Sequence, residues 1–271
     1  MTTLAGKTIF ITGGSRGIGR AIALRAAGDG ANIVIAAKTD KPHPKLPGTI
    51  HSVAQEIVRR GGQALPIAID IRDDDAIVAA VARTVERFGS LDILVNNASA
   101  LNVAKTSDLP MNRFDLMFDI NVRGTFATTK ACFADLRRAS NPHVLTLSPP
   151  LDLVPRWFGD HCAYTMSKYA MSMSVLGFAE ELRPYGIGVN ALWPRTMIAT
   201  AAMGALGVDT VGCRTPDIMA DAAYAVLIRD GKHCTGNFFI DEDVLRASGS
   251  VDFERYSVTP GAPLTPDLFV R

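Results

Sequence analysis

The stretch Lys7-Thr-Ile-Phe-Ile-Thr12 runs straight into Gly13-Gly-Ser-Arg-Gly-Ile-Gly19, and an alanine-rich helical pattern follows as far as Gly28. A short β-branched and aromatic run entering a glycine cluster reads as a strand, a tight turn and a helix. Glycines let the backbone approach a pyrophosphate closely, and the positive N-terminus of the next helix holds it. Gly13, Gly14, Ser15, Arg16, Gly17, Ile18 and Gly19 are therefore candidate cofactor contacts. A glycine-rich turn can be no more than a turn; its place between the first strand and first helix of a β-α-β unit is the context for a dinucleotide site. A P-loop is excluded, because no Gly-Lys-Ser/Thr follows.

Outward from this turn the same alternation continues. Asn32–Ala36, Ala64–Ile69, Leu91–Val95, His143–Leu147 and Gly188–Leu192 read as strands, with Asn237–Ile240 as a seventh. Helical patterns cover Ile50–Arg60, Asp73–Phe88, Arg113–Ala139 and Tyr164–Leu182. Several strands are nearly continuous apolar runs, as expected where helices cover both faces of a parallel sheet. The expectation is an α/β fold: one doubly wound Rossmann domain over residues 1–271, with a mostly parallel seven-stranded sheet. Two segments break the pattern, the proline-rich loop Asp40–Thr49 and a proline-bearing tail from about Asp241 that should lie on the domain.

The bulk numbers remove other classes. With 28 basic and 27 acidic residues, no broad basic field points to nucleic acid or a membrane surface. The 4 cysteines are scattered without a C-x-x-C pair, which suits a reducing compartment, and the 5 histidines show no metal-ligand spacing. No apolar run reaches the ~20 residues that span a bilayer. Neither terminus reads as a targeting signal, so the expectation is a cytoplasmic protein with a small-molecule substrate.

The end of the second strand bears on the choice of cofactor. An acidic residue about 20 positions beyond the glycines binds the ribose hydroxyls in NAD enzymes. Here the segment is Ala36-Ala37-Lys38-Thr39, with no acid and with a lysine where a 2′-phosphate needs a cation. Arg16 can supply a second one. Both can instead be solvated surface charges, but NADP(H) is the better reading.

Tyr164 and Lys168 stand at i and i+4 on a helix and so share a face. A free phenol has a pKa near 10 and is a poor base at neutral pH. A neighbouring ammonium and an oxidised nicotinamide favour the phenolate, so Tyr164 can take an alcohol's proton or return one to a carbonyl. Taken alone, Asn121 reads as a helix residue satisfying its own turn and Asp70 as a helix cap. The glycine turn, Asp70, Asn96-Asn97-Ala98-Ser99, Asn121 and Tyr164-x-x-x-Lys168 nevertheless come in order, over roughly residues 5 to 240. Together they resemble the short-chain dehydrogenase/reductase family. The resemblance implies that Lys168 also binds the nicotinamide ribose and that Asn121 holds a water linking this lysine to solvent. It further implies that Asp70 contacts the adenine, that the Asn97 segment packs on the adenosine ribose, and that two or four copies assemble through the long helices.

Two positions depart from the family pattern. Its catalytic serine, often the second of a Ser-Ser pair, corresponds to Pro149 in Leu147-Ser148-Pro149-Pro150. Ser148 reaches the role only if a small insertion before Tyr164 displaces it there. The family's Pro-Gly is Pro194-Arg195; that arginine can meet a cofactor phosphate, close over the nicotinamide or face solvent. The leading reading is an alcohol dehydrogenase or carbonyl reductase for a hydrophobic substrate, covered by the apolar loop Thr196–Thr215. A non-catalytic NADP(H)-binding sensor or scaffold is the alternative. A nucleotide-sugar epimerase or dehydratase is disfavoured by the short C-terminal region.

Overall fold

The computed structural model describes residues 3–44, 46–205 and 207–271. Seven parallel strands form one sheet in the order β3-β2-β1-β4-β5-β6-β7. They are β1 (Thr8–Thr12), β2 (Asn32–Ala37), β3 (Gln63–Ala68), β4 (Ile93–Asn96), β5 (His143–Thr146), β6 (Gly188–Trp193) and β7 (Phe238–Ile240). The sheet is wholly parallel where a mostly parallel one is expected, and the strand bounds shift by a residue or two.

Alternation along β1 explains the layers. Ile9 and Ile11 enter one core, and Phe10 enters the other with Val34 and Leu94. The first core is closed by α1 (Gly17–Ala27) and α2 (Ile50–Arg59), the second by α3 (Asp74–Phe88). Caps set the starts of two of these helices. The Asp73 side chain accepts from Ala76 N at 3.0 Å, and Thr49 and Ser52 form a reciprocal capping box.

The long helix expected over Arg113–Ala139 is interrupted. It divides into α4 (Met111–Met117), a π-helical stretch Phe118–Gly124 and α5 (Thr125–Leu136). Asn121 lies inside the π stretch, a type of irregularity that clusters at functional sites. Beyond β5 come the short α6 (Arg156–Gly159) and α7 (Cys162–Glu181), which starts two residues before Tyr164. The short α8 (Ala201–Ala205) and α9 (Asp217–Leu227) follow β6. Helix α9 is apolar around much of its circumference, so no amphipathic stripe marks it in the sequence. The C-terminal region opens with α10 (Asp241–Ala247) and then returns to the end of β6, where Asp267 N donates to Arg195 O at 3.0 Å. No helix among the described residues is long and apolar enough to cross a membrane.

Candidate active site

Strand order reverses between β1 and β4, and ligands of doubly wound sheets bind beyond the strand ends at such a point. A cleft of about 570 Å³ opens there, lined by Gly13, Ser15, Arg16, Gly17, Ile18, Lys38, Asp70 and Asn97 among others. Gly14 and Gly19 stand behind that lining and serve close packing. A Cβ on Gly19 would lie 2.5 Å from Asn97 Nδ2, and one on Gly13, whose φ is +67°, would lie 2.9 Å from the same atom. Asn97 fills this space because its Nδ2 donates to the carbonyls of Thr12 (2.8 Å) and Gly13 (3.1 Å). The Thr12 hydroxyl in turn accepts from Asn97 N and Ala98 N, both at 3.0 Å. The end of β4 is thus tied to the glycine turn, and the N-terminus of α1 faces the cleft. A backbone cradle free of side chains beside a helix N-terminus fits the pyrophosphate of a nicotinamide dinucleotide.

Both predicted cations line the far end of this cleft. Arg16 donates from Nη2 to Thr39 Oγ1 at 2.7 Å and from Nε to Pro47 O at 3.3 Å, so it spans the proline-rich loop. Lys38 Nζ is 3.0 Å from Asp70 Oδ2, and Asp70 also takes Arg72 at 2.6 Å. These two cations, Arg72 foremost, hold the Asp70 carboxyl far below the usual carboxylate range. No acid stands at the end of β2; the carboxylate in the cleft, Asp70, lies two residues beyond β3.

At the chemical end, a cavity of about 480 Å³ contains Tyr164 and Lys168 together. It shares Ile18, Asn97, Ser99, Leu101 and Thr200 with the dinucleotide cleft, so the two are ends of one groove. Lys168 Nζ donates to Leu147 O at 2.7 Å and sits 4.9 Å from the centre of the Trp193 ring. Burial lowers the Lys168 ammonium pKa to about 7. The Tyr164 phenol is pushed well above its ordinary value, first by burial and then by the nearby Asp267 carboxylate. The sequence leads one to expect a tyrosine lowered by a neighbouring ammonium and an oxidised nicotinamide together. Among the protein's own groups, desolvation dominates at both side chains.

Asn121 is fully buried and bound to protein. Its Oδ1 accepts from Ala100 N at 2.7 Å, and its Nδ2 donates to Ala100 O (2.9 Å) and to Ser167 Oγ (3.0 Å). It therefore joins the loop after β4 to α7, and its side-chain hydrogen bonds do not run to Lys168. Ser148 is also fully buried; its hydroxyl has no hydrogen-bond partner and it stands outside the lining of the Tyr164 cavity. Arg195 does not turn to a cofactor: its Nη2 is 2.6 Å from Asp243 Oδ1, and its Nε is 3.5 Å from Glu242 Oε2. From the apolar loop, Met197, Ile198, Met203 and Val208 line the cavity; Leu206 lies outside the described residues.

Sequence reasoning missed His161, Trp193, Asp267 and Leu268, which line the same cavity. His161 carried a signal, three residues before Tyr164 at the start of the same helix. The tail carried none, because its place is fixed by contacts remote in sequence: Trp193 Nε1 donates to Leu268 O at 2.8 Å, and Phe269 packs against His161, Tyr164, Tyr169 and Trp193.

With this geometry in place, the relatives of the chain can be compared. A family model described as short chain dehydrogenase matches residues 7–209. Hydroxysteroid dehydrogenase-like protein 2 of Danio rerio is 59% identical over 98% of the chain and 64% of its own length; the human protein of that name is 55% identical over the same shares. The chain therefore spans less than two thirds of the length of these curated relatives. A crystal structure of a short chain dehydrogenase from Mycobacterium thermoresistibile superposes with a TM-score of 0.95 at 53% identity, covering 99% of this chain and 96% of the other. Sheet order, glycine turn and sequence agree: the chain belongs to the short-chain dehydrogenase/reductase family of oxidoreductases, which bind a nicotinamide cofactor.

Proposed function

We propose that the chain transfers a hydride between NADP(H) and an alcohol or carbonyl group of a hydrophobic small molecule. The observation that carries this reading is the continuous groove, with Lys38 and Arg16 at one end and the buried Tyr164–Lys168 pair at the other. When bound, the cofactor supplies or accepts the hydride at the Tyr164 end. Tyr164 then exchanges the proton with the substrate oxygen, and Lys168, four residues on along the same helix, lines the same cavity. Gly13, Ser15, Gly17, Ile18 and the N-terminus of α1 would hold the pyrophosphate, with Asp70 at the adenine and Asn97 behind the ribose. Lys38 is 59% exposed, and an exposed ion pair such as Lys38–Asp70 is worth only about 0–1 kcal/mol, so a 2′-phosphate can draw the lysine away. Leu101, Val103, Leu147, Met197 and Ile198 make the substrate end predominantly apolar.

The test is Tyr164→Phe, which keeps the ring and removes the proton. NADPH binding should survive while turnover falls at least about 10²-fold, the usual worth of general acid–base catalysis. A variant that keeps most of its activity on any good substrate removes this mechanism. The second reading, a non-catalytic NADP(H)-binding sensor, draws support from the sequestered Ser148 hydroxyl. NADPH binding without turnover across aldehydes, ketones and acyl thioesters would favour it.

A further inference from the structure

Reducing a carbonyl gathers negative charge on its oxygen, and each preorganised donor aimed at that oxygen is worth about 10²–10³ in rate. Tyr164 provides one donor. The resemblance aligns the family's serine with Pro149, which has neither an N–H nor a polar side chain. Ser148, the adjacent hydroxyl, is sealed outside the cavity.

His161 occupies a different situation. It is 8% exposed, lines the cavity with Tyr164 and Lys168, and its Nε2 is buried without any hydrogen-bond partner. Leaving a buried polar atom unpaired costs on the order of 1–3 kcal/mol, a penalty that a ligand atom in the cavity would relieve. The ring is held in place from several sides. His161 stands just before the first turn of α7, its carbonyl accepts from Thr165 N at 3.0 Å, and Phe269 meets it edge-on with centroids 6.0 Å apart. Three residues on, Tyr164 shares its helix face, and the two ring centroids are 6.3 Å apart. At that separation, hydrogen bonds of about 2.7–3.0 Å from a phenol O–H and an imidazole N–H can converge on one oxygen.

Accepting the hydride-transfer reading, we propose that His161 Nε2–H is the second donor to the substrate oxygen and takes the place of the family's serine. The hydride adds to the carbonyl carbon, the π pair moves to oxygen, and that oxygen takes the Tyr164 proton. His161 keeps its proton throughout and only donates a hydrogen bond. Burial holds the imidazole pKa below its ordinary value, against a smaller opposing pull from Asp160, which leaves a neutral ring able to carry its proton on Nε2. Asp267 lines the cavity as well, but its Oδ1 already accepts from Leu268 N at 2.6 Å; burial raises its pKa to about 7, so near neutral pH its ionised form, which repels an oxygen that is becoming negative, is well populated.

The experiment compares His161→Phe, His161→Gln, His161→Asn, Ser148→Ala and Tyr164→Phe on one carbonyl substrate that the parent reduces. It reads kcat, KM, the NADPH dissociation constant and the thermal midpoint. His161→Phe should lose about 10²–10³ in kcat with NADPH affinity within about twofold of the parent. His161→Gln should recover at least about tenfold of that loss, because its amide N–H reaches where Nε2–H stood. Should His161→Phe not fold, the glutamine variant must still exceed the asparagine variant, whose amide falls short; equal rates overturn the assignment. His161→Phe within twofold of the parent also overturns it, as does a large loss confined to Ser148→Ala. Retained activity in Tyr164→Phe would sink the hydride-transfer reading itself, whereas an inactive Tyr164→Phe beside an active His161→Phe sinks only this inference.

Discussion

Tyr164 and Lys168 show how burial and charge compete at one spot. Removing both from water favours the neutral phenol and the neutral amine, so the tyrosine remains protonated at neutral pH. The protonated phenol is the donor for carbonyl reduction, and its conjugate base is the acceptor for alcohol oxidation. Rate–pH profiles should therefore differ in sign: kcat/KM for reduction stays level until the phenol ionises, while that for oxidation climbs with pH. Asp267 adds to this, since its ionised carboxylate opposes a phenolate nearby, although its own pKa is raised by burial to about 7. Replacing it in Asp267→Asn should lower the Tyr164 pKa and move the rising limb of oxidation to lower pH. An unmoved limb would mean that this charge is not felt at the tyrosine. Lys168→Met should impair cofactor binding and rate together, because Nζ also braces the Leu147 carbonyl at the end of β5.

At the level of elements, the glycine turn with the end of β2 is one functional unit and the returning tail is another. Arg16 and Lys38 should make NADPH bind tighter than NADH. Two charge-assisted bonds of about 1.5–3 kcal/mol each, partly spent on breaking Lys38 from Asp70, give a preference of several-fold to hundreds-fold. Ala37→Asp combined with Lys38→Ala should swing the preference toward NADH, since the new carboxylate repels the 2′-phosphate and binds the ribose hydroxyls. Fluorescence titration of both cofactors checks this, and equal constants for the parent protein would contradict it. In the tail, Phe269 is 2% exposed and adopts φ 69°, a conformation that costs a non-glycine residue about 1–3 kcal/mol. Contacts with Trp157, His161, Tyr164, Tyr169 and Trp193 offset that strain. Phe269→Ala should destabilise the fold by about 3–5 kcal/mol, because alanine keeps the Cβ and with it the backbone strain; this is visible as a lowered thermal midpoint. It should also lower kcat/KM for substrate while leaving NADPH affinity largely intact, because Phe269 is not part of the dinucleotide cleft.

For the whole molecule, Phe126 on α5 and Met173 and Leu176 on α7 stay 54%, 56% and 47% exposed. Pairing of copies through α5 and α7, which the family resemblance implies, would cover these side chains. Leu176→Glu with Phe126→Glu should shift the sedimentation coefficient toward the monomer, and an unchanged value in a parent that sediments as an oligomer would place the interface elsewhere. The architecture was largely legible in the sequence, because strand and helix periodicities and the glycine turn are local signals that each specify their own element. The same locality allowed Tyr164 and Lys168 to be paired by their spacing. The π-helical break around Asn121, the sealed position of Ser148, the capture of Arg195 by Asp243 and the entry of Asp267 and Phe269 beside Tyr164 were not legible. Each depends on which distant segment fills a space or meets a charge. Hydrophobic period and turn chemistry are properties of neighbours in the chain; desolvation and partner choice are properties of neighbours in space, and only the folded protein brings those together.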